Sequence, residues 1–218
     1  MTEAQSEPRL CLIAAATADD AGWHTRIAAV LEATSAATLI LTTPKGASID
    51  VAAARPLVEK AQTKNIAVLI SDDIEAARAL GADGVHLSWR PEIEDAYEAA
   101  RAALGSDAIV GADAGVSRHD AMTLGDEAAD YVAFSRLPDT SDDPTAAEAQ
   151  HELVAWWSEV FVVPVVAFDV ETPAEAADLV RNGADFIAVR LPPAPPEAGD
   201  AAWAAAFVAA LEARADAA

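Results

Sequence analysis

Short apolar runs without a polar face recur at Leu10–Ala14, Thr38–Leu41, Ile66–Ile70, Gly84–Leu87, Ala108–Val110, Tyr131–Phe134, Val163–Ala167 and Phe186–Val189. Runs of this length, rich in β-branched residues and Leu, predict strands that are covered on both faces. Between them lie Ala-, Leu-, Glu- and Arg-rich segments whose apolar residues return at helical spacing, as at Ile27, Val30 and Leu31, or at Ala76, Ala77 and Leu80. Strict alternation of strand and helix predicts parallel strands joined by crossovers. Eight such units in 218 residues predict an α/β fold, a single-domain (β/α)8 TIM barrel. A doubly wound open sheet is the alternative, and no Gly-x-Gly-x-x-Gly turn supports it.

The boundaries agree with this pattern. Thr172-Pro173 reads as an N-cap with proline at the first helical position, and Gly81 and Gly183 read as glycines that end helices. Residues 1–8 are expected to be a flexible tail and 9–218 one domain. Within it, 191–200, with four prolines, reads as a stiff connector to a last helix over 201–214, where Trp203, Phe207, Val208 and Leu211 form an apolar stripe. A short repeat also recurs: Ala-Asp stands before a strand at Ala82-Asp83, Ala129-Asp130 and Ala184-Asp185. These aspartates are expected to accept backbone N–H groups at the lower rim, away from the end where barrel chemistry sits.

Composition narrows the function. The chain is 53% hydrophobic and 23% charged, and its formal net charge of −22 repels a nucleic-acid backbone. No apolar run reaches the length of a membrane span, and the polar, acidic start does not read as a signal peptide, so a cytoplasmic location is expected. The single Cys11, in an apolar run, excludes an internal disulfide and a cysteine-based metal site and reads as buried and inert. A homo-oligomer is left open.

Against that acidity, five of the 14 Lys and Arg residues follow the strands: Lys45, Arg90, Arg118, Arg136 and Arg190. Their placement points either to an anionic ligand or to ion pairs with the rim's own carboxylates. Asp72 and Asp73, after the third strand, suit either a magnesium ion or the cap of the helix that follows. His86 lies in the register of the fourth strand and reads as a packed core residue. His119 begins a helix beside Ser117 and Arg118. No nucleophile elbow, zinc spacing or P-loop is present.

The stretch "LISDDIEAARALGADGVHLSWR" resembles the segment of thiamine phosphate synthases that joins the third and fourth strands, and "VGADAGVSRHDAM" is similar to their element after the fifth. "ADYVAF", "VPVVAF" and "NGADFIAV" are similar to their later strands in order, so the resemblance covers residues 36 to 191. It implies a (β/α)8 barrel that couples hydroxymethylpyrimidine diphosphate, with Mg²⁺ as cofactor, to a thiazole phosphate. By that resemblance Asp72 is a metal ligand, Ser117 touches the diphosphate, and Lys45 stands near a diphosphate-binding lysine. The substrate-binding set is Lys45, Ser71, Ser117, Arg118, His119, Arg136 and Arg190. The chain departs from the pattern where Ser71 replaces Asn, Trp89 replaces Gln, and Phe168-Asp169 replaces a Gly-Gly phosphate loop. A barrel of the same descent with lost or altered chemistry, acting in binding or regulation, is the alternative. An unrelated lyase or isomerase on the same architecture is a third.

Overall fold

The computed structural model describes residues 8–16, 21–44, 47–136 and 144–212. The chain runs β1 (Arg9–Ala15), α1 (Ala21–Ala33), β2 (Thr38–Thr42), α2 (Val51–Gln62), β3 (Ala67–Ser71), α3 (Ile74–Leu80), β4 (Gly84–Leu87) and α4 (Ile93–Leu104). It continues through β5 (Ile109–Asp113), α5 (Arg118–Asp126), β6 (Tyr131–Phe134), α6 (Pro144–Val160), β7 (Val165–Ala167), α7 (Pro173–Arg181), β8 (Phe186–Arg190) and α8 (Asp200–Glu212). Each strand pairs in parallel with the next, and β8 pairs with β1, so the sheet closes into a barrel. The expected (β/α)8 architecture is the one observed.

Two strand limits differ from the hydrophobic reading by more than one residue, each for a physical reason. The fifth run, read as ending at Val110, instead continues as β5 through Gly111-Ala112-Asp113, paired to β6 through Asp113↔Ala133. At the other extreme β7 begins two residues late, because Pro164 has no N–H to donate and the Val163 carbonyl accepts from the Trp157 indole at 2.8 Å. The tail, apart from Pro8, and the end of the last helix beyond Glu212 lie outside the described residues.

The Ala-Asp repeat has one job in all three places. Asp83, Asp130 and Asp185 accept through Oδ2 from the N–H of Val68, Val110 and Val165, at 2.7, 2.7 and 2.9 Å. Each also donates its own N–H to the carbonyl of that same valine. The residue before an even-numbered strand thus closes off the start of the odd-numbered strand before it. Capping follows the expected chemistry: Asp73, not Asp72, caps α3 by accepting from the Ala76 N–H at 2.8 Å, and Thr172 caps α7. Gly81 ends α3 at φ +66°. After α7 the cap is Asn182, with Gly183 turning the chain one residue later at φ +101°.

Alternation along the strands divides the core in two. Outward residues pack under the helices, where α8 contributes Phe207 and Leu211 as buried and Trp203 and Val208 as half-buried members of the expected stripe. Inward residues Cys11, Ile13, Ile40, Leu69, Tyr131, Val166 and Phe168 fill the barrel. Gly111 is required here: a Cβ would stand 2.0 Å from the Tyr131 ring, which lies across this strand. Below that ring, at the strand starts, a cavity of about 190 Å³ remains between Cys11, Thr38, Ile109 and Phe186. Cys11 lies against it with its thiol pushed up to about 12 by burial, the inert state expected from its apolar run.

Candidate active site at the C-terminal mouth

The corner between β3 and β4 is built around Asp72. Its backbone is left-handed, φ +60°, and its N–H donates to the His86 carbonyl at 3.0 Å, which fixes the carboxylate above the ends of both strands. Oδ1 accepts from the Ser88 N–H at 2.9 Å and from Arg90 Nη2. Oδ2 lies 3.3 Å from Ser71 Oγ, which in turn meets Ser88 Oγ at 3.2 Å. Ser71, Asp72, Ser88 and Arg90 therefore form one polar cluster. Beside it the Trp89 ring, 38% exposed, lies over Gly115. A Cβ there would meet three atoms of the five-membered ring at 2.7, 2.9 and 3.0 Å, near-equal distances that belong to a point above its face.

The opposite corner, between β7 and β8, repeats the arrangement. Asp169 is also left-handed, φ +56°, and accepts from Arg190 Nε at 2.9 Å. Phe168 turns inward, 5% exposed, and stacks on His86 with ring centroids 4.4 Å apart. Arg136 pairs with Glu175 of α7, both side chains being largely buried. Of the two meanings open for the rim cations, the structure displays ion pairs at Arg90, Arg136 and Arg190. Lys45 lies outside the described residues.

Between these corners, inside the mouth, lies a buried polar layer. His86 is 1% exposed; Nδ1 meets Tyr131 Oη at 2.9 Å, and Nε2 has no partner among the described residues. Burial holds its imidazole down at about 4, with Arg190 and Arg90 adding to the effect against Asp72, so the ring is neutral at physiological pH. Asp113 accepts from Ser135 Oγ at 2.5 Å, from the Gly115 N–H at 2.8 Å and from the Ser135 N–H at 3.2 Å. Burial nonetheless raises its carboxyl to about 6, because desolvation outweighs those three bonds.

The α5 start is arranged differently. Ser117 Oγ caps the helix by accepting from the Asp120 N–H at 3.2 Å. Arg118 lies over Trp156 of α6, 4.8 Å from a ring centroid, and His119 is exposed. The structure therefore brings Ser71 and Asp72 together, and it sets Arg136 and Arg190 in separate ion pairs. Asp113, Ser135 and Tyr131 are not among the candidate residues read from the sequence: Asp113 and Ser135 are marked there only as polar residues at strand ends, and Tyr131 only by its place in an apolar run.

The model of the family described as thiamine monophosphate synthase matches residues 10–191, from β1 through the end of β8. This chain belongs to that family. A thiamine-phosphate synthase of Hyphomonas neptunium is 44% identical over 152 residues, which are 70% of this chain and 67% of the relative. One of Rhodospirillum centenum is 41% identical over 135 residues, 62% of each chain, so the alignments take in about two thirds of these relatives' length. The solved thiamine phosphate pyrophosphorylase of Pyrococcus furiosus superposes with a TM-score of 0.72 over 96% of this chain and 98% of that one; at 21% identity this speaks for the fold.

Family membership raises the question of the magnesium ion that the resemblance implied. Among the described residues no group of three or more His, Cys, Asp or Glu is placed to hold a metal. Mg²⁺ prefers near-octahedral oxygen ligands, from one or two carboxylates together with water and phosphate. Here Asp72 is a single carboxylate whose Oδ1 is already shared by an N–H and a guanidinium. One carboxylate would suffice beside water and phosphate, but the guanidinium on its Oδ1 repels a second cation there, so this corner does not fit a magnesium ion.

Proposed function

We propose that this member of the family is a transferase that couples hydroxymethylpyrimidine diphosphate to thiazole phosphate, forming thiamine phosphate at the C-terminal mouth. The family match over residues 10–191 carries the reading. Loss of the diphosphate leaves a carbocation-like pyrimidine, and the site must stabilise the departing negative charge. Arg90 supplies positive charge at the β3–β4 corner, with Asp72, Ser71 and Ser88 fixing its place. Ser117, Arg118 and His119 extend the substrate-binding set along the start of α5, and Lys45 belongs to it by resemblance. Arg136 and Arg190 contribute once a phosphate displaces Glu175 or Asp169 from them.

No helix among the described residues is long and apolar enough to cross a membrane. The reading places the chain in the cytoplasm with phosphorylated small molecules as its partners. The test is a coupling assay with both substrates, scored by formation of thiamine phosphate. No product at millimolar substrate from folded protein would refute it.

A second reading, a barrel that binds without coupling, is favoured by the end of β7. Phe168 fills the interior above His86, and Asp169 neutralises Arg190, where open backbone amides would receive a phosphate. Ligand-induced stabilisation by the substrates without turnover would distinguish it.

A further inference from the structure

We infer that Arg90 is the resident cation of a diphosphate subsite at the β3–β4 corner, so that the mouth takes a diphosphate anion without magnesium. The inference rests on the functional reading above for the class of ligand and on the geometry of this corner for the means of holding it. Arg90 Nη2 contacts Asp72 Oδ1, so a guanidinium already stands on the carboxylate that the resemblance gives to a metal ion. Asp72 is fixed from below by the Ser88 N–H and by its own left-handed backbone, and it holds the guanidinium in place. Arg90 Nε donates to the Ser88 carbonyl at 3.2 Å, a second anchor on the same loop.

A guanidinium has five N–H groups. With Nε and Nη2 each giving one bond, three face no partner among the described residues, and the side chain is 42% exposed. A planar fork with unused donors suits bidentate binding of phosphate oxygens, which an ammonium or a lone hydroxyl does not reproduce.

The experiment is calorimetric titration of the full chain with inorganic pyrophosphate, once in EDTA and once with Mg²⁺. Binding in EDTA is expected within about tenfold of that with Mg²⁺, and Arg90→Met is expected to weaken binding in EDTA by about tenfold or more, the worth of a charge-assisted contact. Asp72→Asn separates the two modes of holding the anion. It removes a carboxylate that competes for Arg90, so affinity should change less than about tenfold, whereas a metal-held anion would be lost. Circular dichroism of each variant confirms that it is folded. The inference is overturned by a larger dependence on Mg²⁺, by a smaller effect of Arg90→Met, by loss of binding in Asp72→Asn, or by no binding in either buffer. Coupling that requires Mg²⁺ would sink this inference and leave the transferase reading standing. Pyrophosphate bound through Arg90 in EDTA, with no thiamine phosphate formed, would do the reverse.

Discussion

Two buried groups in the mouth titrate in the same window with opposite effect, and Asp113→Asn separates them. His86 is held at about 4 against an ordinary 6.5, so between those values the unfolded chain binds a proton that the barrel refuses. The stability this group contributes is present above pH 6.5 and is lost as pH falls toward 4. Asp113 runs the other way: its carboxyl is raised to about 6 from 3.8, so the folded chain binds the extra proton. Its contribution is full below pH 3.8 and is lost as pH rises through 6. At about 1.4 kcal/mol per pH unit of separation, each amounts to roughly 3 kcal/mol, and in the wild type they largely offset.

Asparagine keeps an oxygen for the Gly115 and Ser135 N–H groups and turns an amide toward Ser135 Oγ, which can accept. It removes only the titration. Stability measured by urea unfolding at pH 7, 6, 5 and 4, followed by tryptophan fluorescence, should then show the variant losing about 2–3 kcal/mol relative to wild type as pH falls from 7 to 4. The many surface carboxylates are common to both chains and cancel in the difference. Parallel pH profiles for the two proteins would refute the reasoning, because Asp113 would then not be taking up a proton in the folded state.

Asp185→Ala should cost about 1–3 kcal/mol in thermal or urea unfolding, since the Val165 N–H at the start of β7 loses its acceptor; no measurable loss would remove the structural role given to the Ala-Asp repeat. Gly115→Ala places a Cβ 2.7 Å from the Trp89 ring at a backbone φ of +58°. It should cost at least about 1 kcal/mol and shift the Trp89 emission, read as the difference between spectra recorded with and without Trp89→Phe.

Hydrophobic patterning by itself determined the barrel. Eight apolar runs alternating with helical spacing leave few ways to bury every strand on both faces, so the fold and the limits of β4 and β6 were legible without coordinates. The Ala-Asp repeat was legible for a similar reason: its contacts are to the neighbouring strand, at a spacing the βα unit fixes. Side-chain pairing at the mouth was not. Asp72 with Arg90, Asp169 with Arg190 and Arg136 with Glu175 each join adjacent units, and the left-handed turns and side-chain directions at the strand ends set which charge meets which. Whether Phe168 points into the barrel and lies on His86, and whether Asp113 is buried deeply enough to hold its proton, depend on parity and depth inside a closed sheet. Those are properties of the assembled interior, where desolvation acts on groups that a linear chain leaves in water.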